Sequence, residues 1–102
     1  MRLVFVIGMA GSGKSLLTGS LVGWLREQEQ DAAAVNLDPG ALDLPYEPDV
    51  DVRAYVTVDE VMERYGLGPN GAMIAAADLM ATYVKELEAE LDGLGPDIAI
   101  VD

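Results

Sequence analysis

The chain has 102 residues, room for one domain at most, and its 51% apolar content is enough to build a core. Eighteen acidic against six basic residues give a net charge of −12, which argues against general nucleic-acid or anionic-membrane binding but leaves room for a local nucleotide pocket. Cysteine and histidine are absent, so disulfides, thiolate chemistry, Ser-His and Cys-His catalysis and most zinc sites are excluded. Acid–base work falls to carboxylates or to the substrate. The charge reads either as a solvated face or as adaptation to high salt, and the scarcity of lysine (Lys14 and Lys85) suits the latter. The apolar run near the N-terminus is shorter than the ~7–15 residues of a signal-peptide core. No stretch approaches transmembrane length, so a soluble cytoplasmic protein is expected.

In chain order, Leu3 to Ile7 is apolar without alternation and predicts a strand covered on both faces of a parallel sheet. Gly8-Met9-Ala10-Gly11-Ser12-Gly13-Lys14-Ser15 follows and fits G-x-x-x-x-G-K-[ST], the phosphate-binding P-loop. A triphosphate is a dense negative charge, and glycines let backbone N–H groups turn inward around it. A helix predicted over Ser15 to about Glu29 brings Leu16, Leu17, Leu21, Trp24 and Leu25 to helical spacing. Its N-terminus contributes unpaired N–H groups and partial positive charge. The expected nucleotide-binding set is Gly8, Gly11, Ser12, Gly13, Lys14, Ser15 and Leu16. Lys14 reaches the β- and γ-phosphates, and the Ser15 hydroxyl completes the shell of a Mg²⁺ ion.

Ala32 to Leu37 predicts a second strand, joined to the first by a right-handed crossover. The proline-bearing connection from Asp38 to Asp51 has no period. It starts at the carboxyl edge of the sheet, where ligands of open α/β sheets bind, which directs Asn36 and Asp38 toward the phosphate site. Asp38 also suits a plain turn before proline. Thr57-Val58-Asp59-Glu60 is a capping box opening a short helix to about Arg64 or Tyr65. Asn70 is the expected N-cap of a single helix from Gly71 to Leu91, with Met73, Ala77, Met80, Val84, Leu87 and Leu91 as its apolar stripe. Gly93, Gly95 and Pro96 end it. Asp97 to Asp102 predicts a third strand whose terminal acid stands in the Walker B position, able to orient a Mg²⁺ water or bind the ion.

Three segments make the chain resemble the GPN-loop GTPases, a P-loop GTPase family named for a Gly-Pro-Asn segment. They are the P-loop, Asn36-Leu37-Asp38-Pro39, and Asp51-Val52-Arg53 through Val58-Asp59-Glu60-Val61-Met62 to Tyr65-Gly66-Leu67-Gly68-Pro69-Asn70-Gly71-Ala72. The resemblance covers the whole chain. It implies a three-layer α/β P-loop NTPase fold with a mostly parallel sheet in the order second, third, first strand. Residues 1–102 are the N-terminal part of one such domain, with only the first three strands present. It implies Mg²⁺-dependent hydrolysis of GTP by a dimeric switch or assembly factor, the partner being a second copy or a close paralogue. Lys14, Asp38 and Asn70 are then the catalytic set, and Ser15, Asp38 and Asp102 the metal set. Gly68, Pro69 and Asn70 form the loop that senses the leaving phosphate across the dimer.

Gly40, Ala54 and Leu16 depart mildly from the family pattern. The proline-glycine switch and the segment that reads guanine are not among these residues. The first part of a longer domain, a truncated reading frame or one piece of a split protein is therefore expected, the isolated chain being oligomeric or poorly soluble and without measurable turnover. Two other readings remain: a small P-loop kinase, which needs lid arginines such as Arg53 and Arg64, and a nucleotide-binding or dimerisation module without turnover.

Overall fold

The computed structural model describes residues 1–8 and 12–102. Its strands are β1 (Arg2–Phe5), β2 (Ala32–Asn36), β3 (Val50–Asp51) and β4 (Ile98–Val101). Its helices are α1 (Lys14–Glu27), α2 (Val58–Tyr65), α3 (Pro69–Ala81) and α4 (Val84–Leu94), with a 3-10 turn at Val52–Ala54. All strand pairs are parallel, in the order β1-β4-β2-β3. The order expected for the three long strands is thus found, and β3 is an addition to them. Its two residues pair Val35 with Val50 and Asn36 with Asp51. They are too few to carry a strand period, which is why the sequence shows only a loop there.

β2 and β4 are the centre of the sheet, and nearly all their residues are buried. Ala34 and Ile100 face α1 and pack with Val22, with Leu21, Leu25 and Tyr46 at the margin. Val35, Ala99 and Val101 face the other way and pack with Val50, Val61, Ala72, Ala76 and Leu87. The result is a three-layer arrangement with α1 on one face and α2–α4 on the other.

Several local expectations change. β1 spans Arg2–Phe5 rather than Leu3–Ile7, and it is exposed along its length rather than covered. It lies at the sheet edge and pairs only with β4, so Phe5 is 59% and Ile7 92% exposed. On α1 the buried positions are Thr18 and Val22, while Leu16, Leu17 and Trp24 face outward.

The long helix expected from Gly71 to Leu91 is two helices. The Thr82 hydroxyl returns to the Leu79 carbonyl at 2.7 Å, and the Tyr83 ring stacks on Tyr55 with centroids 5.0 Å apart. Local side-chain bonding and a tertiary contact override the apolar period. Met73, Ala77 and Val84 of the expected stripe are exposed as a result, and Ala72 and Ala76 form the contact face.

Asn70 is not the N-cap of α3. Gly68 takes that place with extended backbone, and Pro69 starts the helix, where its missing N–H costs nothing. Thr57 caps α2 as expected, its hydroxyl accepting the Glu60 N–H at 3.2 Å, and Gly66 closes that helix at φ +64. No helix among the described residues is long and apolar enough to cross a membrane.

Candidate functional site

Two loops and one strand end meet at the carboxyl edge of the sheet. Gly13, at φ +83, turns the chain into α1 and puts Lys14 and Ser15 on its first turn. No acidic side chain of the helix itself lies in that turn. Gly8 lies close to this turn, since a Cβ there would come 2.6 Å from the Ser12 hydroxyl oxygen. Leu16 faces solvent on the first turn of α1. Gly11 falls outside the described residues.

β4 ends beside this turn. The Asp102 N–H donates to the Val35 carbonyl at 2.8 Å, and its carbonyl accepts the Leu37 N–H at 3.1 Å. Its side chain, 1% exposed, points at α1. Lys14 Nζ donates to Asp102 Oδ1, and Ser15 Oγ donates to Oδ2 at 2.9 Å. Walker A lysine, Walker A serine and Walker B acid therefore form one cluster, although they are 88 and 87 positions apart in sequence. Tyr46 OH donates a further hydrogen bond to Oδ2 at 2.9 Å. Burial pushes the Asp102 carboxyl up, but the hydrogen bonds from Lys14, Tyr46 and Ser15 outweigh it and hold the group below the ordinary carboxylate value. Burial, then the bond to Asp102, pushes the Tyr46 phenol well above its usual value, so this hydroxyl remains a donor.

Asp38 follows Leu37, whose N–H bonds the Asp102 carbonyl, but its side chain is not hydrogen-bonded to the cluster. Its Oδ1 accepts the Gly40 N–H at 2.9 Å in the local turn that Asp before Pro favours. The residue is anchored from below by Asn36, which is fully buried. Asn36 Oδ1 accepts the Asp38 N–H at 3.1 Å, while Nδ2 donates to the Asp38 carbonyl at 3.2 Å and to Asp51 Oδ1 at 3.0 Å. Asp51 in turn receives Arg53 Nε and a second guanidinium nitrogen, at 3.0 and 2.8 Å from Oδ2. The other guanidinium nitrogen donates to the Ala41 and Leu42 carbonyls at 3.1 and 3.2 Å. A continuous polar frame thus runs from β2 through β3 to the Asp38–Leu42 loop.

Burial raises the Asp51 carboxyl, and the bonds from Arg53 and Asn36 more than offset this, leaving it below the ordinary 3.8. Such a group binds a proton less readily folded than unfolded. Its contribution to stability is therefore present above the ordinary value and lost as pH falls through the lowered one. Asp51→Asn should lower the thermal midpoint at pH 7, and the gap to the unaltered protein should narrow as pH falls below the ordinary carboxylate value; melting curves at falling pH check it.

Asn70 also stands apart from the Lys14–Asp102 cluster. With Pro69 it lines a groove of about 950 Å³ together with Pro39, Gly40, Arg53 and Met73. This groove lies between the Asp38 loop and the start of α3, joined below by the Val58 N–H donating to the Pro39 carbonyl at 3.0 Å. The Gly-Pro-Asn segment is thus beside its own chain's Asp38 loop.

Ser15 and Asp102 are hard oxygen donors brought side by side, and among the described residues no cluster of three acidic side chains could cage a cation. That set suits Mg²⁺, which keeps waters and substrate phosphates as its remaining ligands.

Reading residues singly does not find Tyr46. An aromatic between Pro45 and Pro48 in a loop carries little local signal, and its role exists only through the contact with Asp102.

A family model described as "Conserved hypothetical ATP binding protein" matches residues 6–102. GPN-loop GTPase PAB0955 of Pyrococcus abyssi is 51% identical over 84 residues, covering 82% of this chain and 33% of that protein. GPN-loop GTPase 3 of Aspergillus fumigatus is 38% identical over 98 residues, 96% of this chain and 33% of its own length. The crystal structure of PAB0955, titled a GTPase in apo form, superposes with a TM-score of 0.85 at 44% identity, covering all of this chain and 41% of that one. The chain spans about a third of the length of these curated relatives. With its P-loop, its Asn-Leu-Asp-Pro turn and its Gly-Pro-Asn helix start on a matching fold, the chain belongs to the GPN-loop GTPase family, of which it represents the N-terminal part.

Proposed function

We propose that this chain carries the phosphate- and metal-binding half of a GTP-hydrolysing switch, as the N-terminal part of one P-loop NTPase domain acting in the cytoplasm. The observation that carries the reading is the meeting of Lys14 and Ser15 with Asp102 at the positive end of α1. In this reading Lys14 leaves Asp102 for the β- and γ-phosphates, and the loop amides and α1 N-terminus hold the rest of the anion. Ser15 and Asp102 would hold Mg²⁺, which when bound neutralises charge across the β- and γ-phosphates. Asp38, fixed through its backbone by Asn36, orients the attacking water or the metal's water shell. Water attacks the γ-phosphoryl group in line, giving GDP and phosphate. Gly68, Pro69 and Asn70 act on the nucleotide of a second copy or close paralogue, and their exposure at the start of α3 suits that role.

The kinase reading is weakened because Arg53 is committed to Asp51 and to two loop carbonyls, and Arg64 lies over the Tyr65 ring. The family description names ATP and the relatives' names say GTPase, so the base is the point to test. In the whole domain of which this chain is proposed to be the N-terminal part, titration of fluorescent GDP, competed with GTP and then ATP in Mg²⁺, should show displacement by GTP at clearly lower concentration. Equal displacement by both would remove the guanine preference, and no binding of either would overturn the site.

A further inference from the structure

We infer that Tyr46 is the positioning residue of Asp102, holding the carboxylate in place while its other partners turn to the nucleotide. The inference rests on the proposed nucleotide and metal site. Three side chains hold the Asp102 carboxylate: Lys14, Ser15 and Tyr46. The first two are the groups that a nucleotide with its cation recruits, so on loading Asp102 loses two of its three donors. Tyr46 has no part in gripping phosphate or cation. It is fixed from another direction, with its ring against the cluster of Val22, Ala34 and Ile100.

Gly19 makes that seat possible. A Cβ there would come within 3.2 Å of the Tyr46 Cβ and 3.4 Å of the Pro45 carbonyl oxygen, so the bare backbone lets the 45–46 segment lie on α1 without being pushed away. The ring is thereby held beside the turn of helix that carries Ser15. The hydroxyl then meets the same oxygen, Oδ2, that Ser15 uses. Tyr46 thus keeps one carboxylate oxygen anchored and the other free to face the cation. It also ties the Asp38–Asp49 connection to the state of the nucleotide site.

The test measures GDP affinity with Mg²⁺ and with EDTA for the protein and for Tyr46→Phe, which keeps the ring and its packing. The ratio of the two affinities is the gain due to the cation. One hydrogen bond to a charged group corresponds to about a tenfold effect, so Tyr46→Phe should cut that gain about tenfold and leave the EDTA affinity unchanged. In the Asp102→Asn background the same substitution should have no further effect on the gain, because the group that Tyr46 holds is already altered. An unchanged gain in Tyr46→Phe, an equal loss with and without Mg²⁺, or additive losses in the double variant would each overturn the role of Tyr46 while leaving the nucleotide site standing. A protein whose GDP affinity does not respond to Mg²⁺ at all would instead overturn the metal site, and this inference with it.

Discussion

Lys14→Ala should abolish nucleotide binding, with a loss of about 100-fold or more in GDP affinity, since charge-assisted bonds to phosphate contribute about 1.5–3 kcal/mol each. The substitution removes more than a phosphate contact. Lys14 is also the charged partner of Asp102, whose side chain is almost fully enclosed. Without it, burial is opposed only by the neutral donors Tyr46 and Ser15, and the Asp102 carboxyl moves upward. The variant should therefore be less stable than the parent near neutral pH even with no nucleotide present. Lys14→Arg keeps the charge but not the compact ammonium, so it should recover much of the stability and little of the binding. Fluorescence titration and thermal melts of the two variants check both statements. Retained nucleotide affinity in Lys14→Ala would make the loop vestigial and would sink the proposed function.

Asn36→Ala should be the most damaging single change away from the phosphate loop. Asn36 is 0% exposed and makes three hydrogen bonds. Truncation removes the side-chain partners of the Asp38 N–H and the Asp38 carbonyl, takes one of three donors from Asp51 Oδ1, and opens a cavity where the buried side chain was. A buried group left unsatisfied costs about 1–3 kcal/mol, and several together with the cavity should total about 2–4 kcal/mol. For a chain of this size that is a fall of roughly 10 °C or more in melting temperature. The loss should appear in denaturant as a lower midpoint with an unchanged slope, because the frame is local and the rest of the core remains. The Asp38–Leu42 loop loses its lower anchor in the same step. Hydrogen exchange should accordingly rise in that loop and in β3 more than in α1. Uniform exchange across the chain would show that Asn36 is ordinary core rather than the anchor of the loop.

How legible these features were depended on the range of the interaction behind them. The P-loop could be read directly because its chemistry is packed into consecutive residues: glycines to free the backbone, then lysine and serine on the first helical turn. The Thr57 cap and the glycine ends of α2 and α4 were legible for the same reason, each being set within one turn of chain. The break at Thr82–Tyr83 was not, because an apolar period across residues 73–91 looks continuous until Tyr83 finds Tyr55. β3 was invisible because two residues become a strand only when β2 is there to pair with them. The cap of α3 was misassigned to Asn70 because asparagine is a good cap in general, whereas proline at position 69 is itself a better first helical residue.

The amino-acid sequence by itself determined the phosphate cradle, the α/β alternation and the family, since all three are written in short contiguous segments and their spacing. Only the tertiary structure decided what those segments do to one another. It joined Lys14 and Ser15 to Asp102, assigned Tyr46 to the same carboxylate, and bound Asn36, Asp51 and Arg53 into the support of Asp38. It left the Asp38 side chain bonded to Gly40 rather than to the Lys14 cluster and put Asn70 on a neighbouring groove. The physical reason is that hydrogen bonds between side chains distant in sequence depend on sheet order and register. The Asp102 contacts exist because β4 inserts between β1 and β2, and the Asn36–Asp51–Arg53 frame because β3 pairs with β2, pairings that no local run of residues encodes.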